Sequence, residues 1–227
     1  MKEKREMHMI TYEQLRQNEE IKTYIKKADE ALAALGYTEH SFAHVTKVSQ
    51  IASYILTQMG ADAHAVELAR MAAYLHDIGN LVNRVDHSQS GAVMAFRILR
   101  SMDMDAGDVA TIVSAIGNHD EGTGVPINDI SAALILADKS DVRRSRVRNT
   151  DIANFDIHDR VNYSVTDSVL EISEDKTEIT LRLTIDTEYG SVMDYFEIFL
   201  GRMVLCRKAA EKLGLRFRLQ INGQSLL

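Results

Sequence analysis

Met71-Ala72-Ala73-Tyr74-Leu75-His76-Asp77-Ile78-Gly79-Asn80 is an apolar helical run that ends in two adjacent side chains able to bind a metal. Buried polar groups are costly unless they are paired, hydrogen-bonded or metal-bound. Taken alone, the dipeptide also fits a solvated helix end, where a cationic His is favoured and Gly79 supplies a left-handed cap. The rest of the chain decides between the two readings. Upstream, Val66, Leu68, Ala69 and Met71 to Leu75 make the helix from about Asp62 apolar nearly all round in its second half, so it is expected at the centre of the molecule.

The 227 residues carry a net charge of -7 and have the composition of an ordinary soluble globule, large enough for one domain or a domain plus an appendage. The acidic balance argues against bulk nucleic-acid binding. A single cysteine, Cys206, excludes an internal disulfide framework and fits a reducing cytoplasm, the expected location. The start, Met1 to Glu6, is charged and no apolar segment follows, so no secretory signal is expected. The most apolar short run, Ile130 to Ala137, is far below the roughly 18 to 20 residues of a membrane span, and no membrane partner is expected.

Spacing predicts an amphipathic helix from Thr11 to about Leu35, with Ile21, Ile25, Ala28, Leu32 and Leu35 as its stripe. A second helix, about Ser41 to Met59, places His44 beside Val45 and Val48 and therefore inward. After Gly79 a connection leads to His87, with Ser88 as the cap of a fourth helix reaching about Met104. A fifth, about Asp108 to Ile116, ends in the polar loop Gly117-Asn118-His119-Asp120-Glu121-Gly122-Thr123-Gly124. A long helix then runs from near Pro126 through Asp138 into an Arg-rich tail.

From about Val165 the period changes from helical to alternating. Leu170 and Ile172, then Ile179, Leu181, Leu183 and Ile185, read as a hairpin across Ser173 to Thr177. A helix from about Val192 to Leu213, capped by Ser191 and Asp194, is apolar on more than one stripe and is expected between the sheet and the helical part. A last strand runs from Leu215 to Ile221. The expected fold is mainly α: residues 1–150 as a helical metal-binding bundle, and residues 151–227 as a small β-β-α-β unit of antiparallel strands packed by one long helix. The least structured stretch, about Asn149 to Ser164, marks the boundary.

Six of the eight histidines, His40, His44, His64, His76, His87 and His119, fall in one third of the chain. His44, His76, Asp77, His87, His119 and Asp138 lie on separate helices or helix ends, and a bundle can project such ligands into one cavity. Six ligands exceed the need of one tetrahedral ion, so two metals are expected. His64 and His8 read as surface residues. His158-Asp159 repeats the dipeptide in a polar loop and reads as a decoy. Cys206, Tyr195, Phe196 and Phe199 read as core.

The order His44, then His76-Asp77, then Asp138 on a later helix resembles the signature of the HD superfamily of metal-dependent phosphohydrolases, over about Tyr37 to Arg148. His87 and His119 resemble the extra ligands of its binuclear branch, which includes enzymes splitting dinucleoside tetraphosphates and the HD-GYP cyclic-dinucleotide phosphodiesterases. The loop has one histidine where HD-GYP proteins have two, and Val125 replaces the tyrosine, so HD-GYP activity is not assigned. His40 stands where some trinuclear relatives carry a glutamate ligand. The C-terminal unit is not part of the superfamily core.

The resemblance implies an HD-domain bundle binding two divalent ions (Fe, Mn, Zn, Mg or similar). It implies hydrolysis of a phosphoester of a nucleotide or other small phosphorylated metabolite. Asp77 is the central catalytic ligand, and Asp120, or Glu121 beside it, a hydrogen-bonding group for the attacking or leaving oxygen. Lys139 is the nearest cation to the metals. If the helix continues past Asp138, Arg146 and Arg148 flank that face as phosphate-binding residues, while Arg143 and Arg144 turn away; a basic helix end complementing the dipole is the equal alternative. Rival readings are a di-iron HD-type oxygenase, a non-catalytic nucleotide sensor, and an assembly protein with a structural metal site, dimerising through the C-terminal unit.

Overall fold

The computed structural model describes residues 10–226; His8 and the charged start at Met1 to Glu6 lie outside them. Where one helix was expected from Thr11 to Leu35 there are two, α1 (Tyr12–Gln17) and α2 (Glu19–Ala34). Asn18 separates them: its side chain accepts from the Glu20 and Ile21 amides, which caps α2 and ends α1 at once. Helix α3 (Phe42–Gln58) is capped by Ser41, and α4 (Ala63–Leu75) by Asp62. From Leu68 to Leu75 every residue of α4 except Arg70 is buried, as its apolar composition requires.

A 3-10 turn, Ile78–Leu81, follows α4. Gly79 is within it and is not a left-handed cap. A Cβ at this position would collide with the His87 carbonyl oxygen and the Gly91 amide nitrogen, so glycine here permits a close approach between the turn and the next helix, α5 (His87–Ser101). Ser88 is not the cap of α5 but a buried residue inside it. The chain turns at Asp86, which is left-handed at φ 57°, and the Asp86 carbonyl takes the Gln89 and Ser90 amides, so the helix begins earlier.

Helix α6 (Ala106–Gly117) starts at an Asp105 cap, and α7 (Asp129–Ser140) starts at an Asn128 capping box. Residues Ile130 to Ala137 are all buried, and α7 packs against α3, α4, α6 and the C-terminal helix. It does not continue into the Arg-rich segment. Asp141, fully buried, draws His44, Lys47 and Arg143 to its carboxylate, and Arg146 Nη1 donates to the Asp141 carbonyl at 2.7 Å. The chain turns there and forms a short 3-10 turn, Arg144–Arg146.

The stretch expected to be least structured holds a 3-10 turn, Ile152–Asn154, and a helix, α8 (Ile157–Ser164). The Asp156 side chain accepts from the Asp159 amide and caps α8, so His158 and Asp159 are helical rather than in a loop. Strands β1 (Val165–Ile172) and β2 (Glu178–Ile185) form the expected antiparallel hairpin. Strand β3 (Arg216–Ile221) instead runs parallel to β2, because α9 (Val192–Lys212) is a crossover between them. A two-residue strand β4 (Gln224–Ser225) completes the order β1-β2-β3-β4. Ile179, Leu181, Leu183, Phe217, Leu219 and Ile221 are buried on the strands, and α9 contacts β3 and α7. Tyr195, Phe199 and Cys206 of α9 are buried, and Phe196 is partly buried against the core. No helix among the described residues is long and apolar enough to cross a membrane.

Candidate metal centre

Two helix ends meet at the site: α4 delivers His76 and Asp77 just past its last turn, and α7 delivers Asp138 within its own. The C-terminal end of a helix presents unpaired carbonyls and partial negative charge, which favours cations. His76 and His119 use such carbonyls, and His87 uses in the same way a carbonyl of the turn that precedes α5. The Nδ1 of His76 lies 2.7 Å from the Ala73 carbonyl, that of His119 2.6 Å from Ile116 and that of His87 3.1 Å from Arg84, each three residues earlier. His44 Nδ1 meets Asp141 Oδ2 at 2.8 Å. A carbonyl or carboxylate only accepts, so each Nδ1 carries the proton and each Nε2 is left to the interior.

Those Nε2 atoms converge. His44 Nε2 is 3.4 Å from Asp77 Oδ2 and 3.3 Å from Asp138 Oδ1; His76 Nε2 is 3.1 Å from Asp77 Oδ2 and 3.6 Å from Asp138 Oδ1. Asp77 turns its other oxygen, Oδ1, to His87 Nε2 at 3.6 Å. The imidazoles form a chain, with ring centroids 5.3 Å apart from His44 to His76, 4.9 Å to His119 and 5.1 Å on to His87. Three overlapping groups can hold an ion: His44, His76 and Asp77; His76, His119 and Asp138; Asp77, His87 and His119.

The fit to a metal is tested by what these atoms lack. His44 Nε2, His76 Nε2 and Asp77 Oδ2 are fully buried and make no hydrogen bond, although they face one another. Native interiors rarely leave buried polar atoms unpaired. A cation between them satisfies all three, and nitrogen and carboxylate donors suit zinc, iron or manganese.

Without a metal, a proton is the cation the site can attract. Burial pushes His76 down, but Asp77 and Asp138 outweigh it and carry the ring up to about 10. Burial would raise Asp77 and Asp138, yet His76 and His40 hold Asp77, and Lys139 and His44 hold Asp138, well below the usual carboxylate range. His44 is raised, with Asp138, Asp141 and Asp77 overcoming burial and Arg146. Burial lowers His119, with His76 and Lys139 adding to it, and burial also lowers His87.

A cleft of about 430 Å³ opens over Asp77 and Asp138. Lys139 lines it, buried, with Nζ 2.8 Å from Asp138 Oδ2 and 2.6 Å from Glu121 Oε2. Asp120 is not among the cleft residues; it lines a neighbouring pocket with Arg84 and His87, its Oδ1 3.9 Å from His87 Nε2. The expected arginines behave differently, because α7 stops at Ser140. Arg146 reaches the cleft but spends its Nε on the Glu39 carbonyl, at 2.8 Å, and Nη1 on Asp141. Arg148 is paired with Asp29 and is not among the cleft residues.

Several residues at the site were not anticipated from the sequence. Asp141 orients His44; its spacing of three from Asp138 was the available signal. Asn80 donates from Nδ2 to Asp77 Oδ1 at 3.0 Å and so fixes the shared carboxylate. His158 and Asp159, read as a decoy, line the cleft from α8. His40, which the sequence did single out, lines it too, its Nδ1 2.7 Å from the Thr38 carbonyl. Arg202 enters from α9, and no local pattern marks it.

A family model described as the HD domain matches residues 41–160. The chain is 26% identical over 206 residues to a protein of Methanocaldococcus jannaschii described as uncharacterised, covering 80% of this chain and 78% of that one. It is 31% identical over 119 residues to ribonuclease Y of Aliarcobacter butzleri, covering 52% of this chain but only 21% of that protein. It also matches the crystal structure of a predicted HD superfamily hydrolase from an uncultured Thermotogales bacterium, with a TM-score of 0.43 and 28% identity over 55% of this chain and 67% of that one.

Proposed function

The chain belongs to the HD domain family, and from that premise we propose that it is a metal-dependent phosphohydrolase acting on a nucleotide or other small phosphorylated metabolite. In this reading His44, His76, Asp77 and Asp138 hold one divalent ion, Asp77, His87 and His119 a second, and Asp77 is shared. Bound divalent ions supply Lewis acidity and lower the pKa of water. The protein's own part is to bind, orient and neutralise.

The observation that carries this reading is the charge of the cleft. Asp77, Glu121, Asp138, Asp156 and Asp159 line it against Arg84, Lys139, Arg146 and Arg202, five carboxylates to four cations. Two divalent ions would turn that one net negative charge into three positive, so an anionic substrate is attracted only to the loaded site. Lys139 is the cation placed to meet a phosphoryl oxygen beside Asp138. In this reading Asp120, beside His87 in the neighbouring pocket, would accept a hydrogen bond from the attacking water.

The test is a panel of phosphomonoesters, phosphodiesters and nucleotides with the metal-reconstituted protein. Turnover is expected with the wild type and only background with Asp77→Asn at an unchanged circular dichroism spectrum. A fully metallated protein that turns over no phosphate compound overturns the proposal. Consumption of oxygen with an organic substrate would replace it with an oxygenase.

A further inference from the structure

We propose that Arg202, supplied by the C-terminal helix α9, is a substrate-binding residue that selects for a second anionic group next to the phosphoryl group held at the metal centre. The inference rests on the phosphohydrolase reading above. Arg202 lines the same cleft as Asp77, Asp138 and Lys139, with its side chain 21% exposed. Its Nε donates to Glu121 Oε1 at 3.0 Å, and its guanidinium carbon lies 4.2 Å from the centre of the Phe199 ring. One edge and one face of the guanidinium are therefore fixed. Its Nη donors make no hydrogen bond among the described residues. A planar fork held in place with its outer donors open is suited to a phosphate or carboxylate.

The position along the cleft says which group it would meet. Glu121 joins Arg202 to Lys139, and Lys139 joins Glu121 to Asp138. Arg202 thus stands one carboxylate further from the metal ligands than Lys139. A phosphoryl group bound at Asp138 and Lys139 leaves Arg202 to whatever anionic group is attached to it. The competing account makes Arg202 a tether, holding the loop of His119 to Glu121 against α9. That loop is already close to α9 at Gly124, where a Cβ would come 3.2 Å from Leu205 Cδ2.

The two accounts differ in sign at Glu121. A tether needs the ion pair, so Glu121→Gln and Arg202→Gln should do the same damage. A substrate-binding Arg202 competes with Glu121 for the anion, so Glu121→Gln should tighten anion binding while Arg202→Gln weakens it. The experiment is calorimetry of the metal-loaded full chain with two probes, orthophosphate and the non-hydrolysable methylenediphosphonate, alongside metal content and thermal midpoint. The wild type is expected to favour the diphosphonate. Arg202→Gln should lose about tenfold or more of diphosphonate affinity, the scale of a charge-assisted hydrogen bond. It should change orthophosphate affinity less than about twofold, well under the tenfold step of one charged contact. Arg202→Lys should fall between, keeping the charge without the fork.

Equal loss for both probes, a fall in metal content, or the same loss in Glu121→Gln overturns the proposal in favour of the tether. Orthophosphate binding by the wild type with no change in diphosphonate affinity in Arg202→Gln removes the role of Arg202 and leaves the phosphohydrolase reading standing. A metal-loaded wild type that binds neither probe overturns both.

Discussion

The centre has two unlike halves that share Asp77. On one side His44, His76 and Asp138 sit within helices or at a helix end, and Asp141 backs His44. On the other, His87 opens α5 after a left-handed Asp86, and His119 begins the loop that carries Asp120 and Glu121. The first half faces two carboxylates and attracts protons, with His76 carried up to about 10. The second is pushed toward neutral imidazole by burial. The lesson is that one side must give up protons to take a metal, while the other is already in its ligating form.

The largest expected effect would break the comparison outright. In the proposed assignment Asp77 serves both ions, whereas His76 serves only the first and His87 only the second. Asp77→Asn should therefore empty both positions, whereas His76→Ala or His87→Ala should leave about one ion per chain, a single position having lost a ligand. Elemental analysis after dialysis reads this directly. An ion retained in Asp77→Asn would show that the halves do not share that ligand.

Asp141→Asn comes next. It touches no proposed ion, yet it orients His44, and partners of this kind are worth about 10- to 100-fold in metal affinity. The weakening should fall on the helix-borne half alone. Competition with a chelator would detect it, and an unchanged first-ion affinity would remove Asp141 from the ligand's support.

Proton release sharpens the same contrast. At pH 7 the metal-free His76 holds its proton, since its folded pKa lies near 10. Binding at that half should expel roughly one proton and weaken as the pH falls, because ligands bind deprotonated. Calorimetry in buffers of different ionisation enthalpy should show buffer-dependent heat for the helix-borne site and little for the His87 side. The raised His76 also adds stability to the metal-free fold below an unfolded pKa of about 6.5, and that contribution is lost as pH rises through the folded value. Identical buffer dependence at both sites would abolish the distinction.

How far the sequence could be read follows from the range of the interactions involved. His44, His76, Asp77 and Asp138 stood out because each is a polar residue on an apolar helical stripe, and helical period is a local signal. The break at Asn18 was also local, an amide side chain followed by Glu19 and Glu20, but good helix formers on both sides masked it. The end of α7 could not be seen. No glycine or proline marks Ser140, and the chain turns because a buried Asp141 gathers side chains from residues 44 and 47. Because of that stop, Arg148 turns away to Asp29, while Arg146 still reaches the cleft but with Nε and Nη1 already engaged. The parallel pairing of β2 with β3 and the entry of Arg202 depend on where α9 crosses, which is set by packing against α7 rather than by any pattern within α9.

The bonds from His76 to the Ala73 carbonyl and from His119 to the Ile116 carbonyl have a dynamic consequence. Helix ends fray, and local opening of a last turn needs far less free energy than global unfolding. Here fraying of α4 or α6 would release the imidazole as well as the backbone. A ligand that binds only the closed form suppresses such opening in proportion to its concentration and affinity. Amide hydrogen exchange at the last turns of α4 and α6 is therefore expected to slow when metal is added, while exchange in the strands stays constant. The centre would act as a clasp on two otherwise loose helix ends.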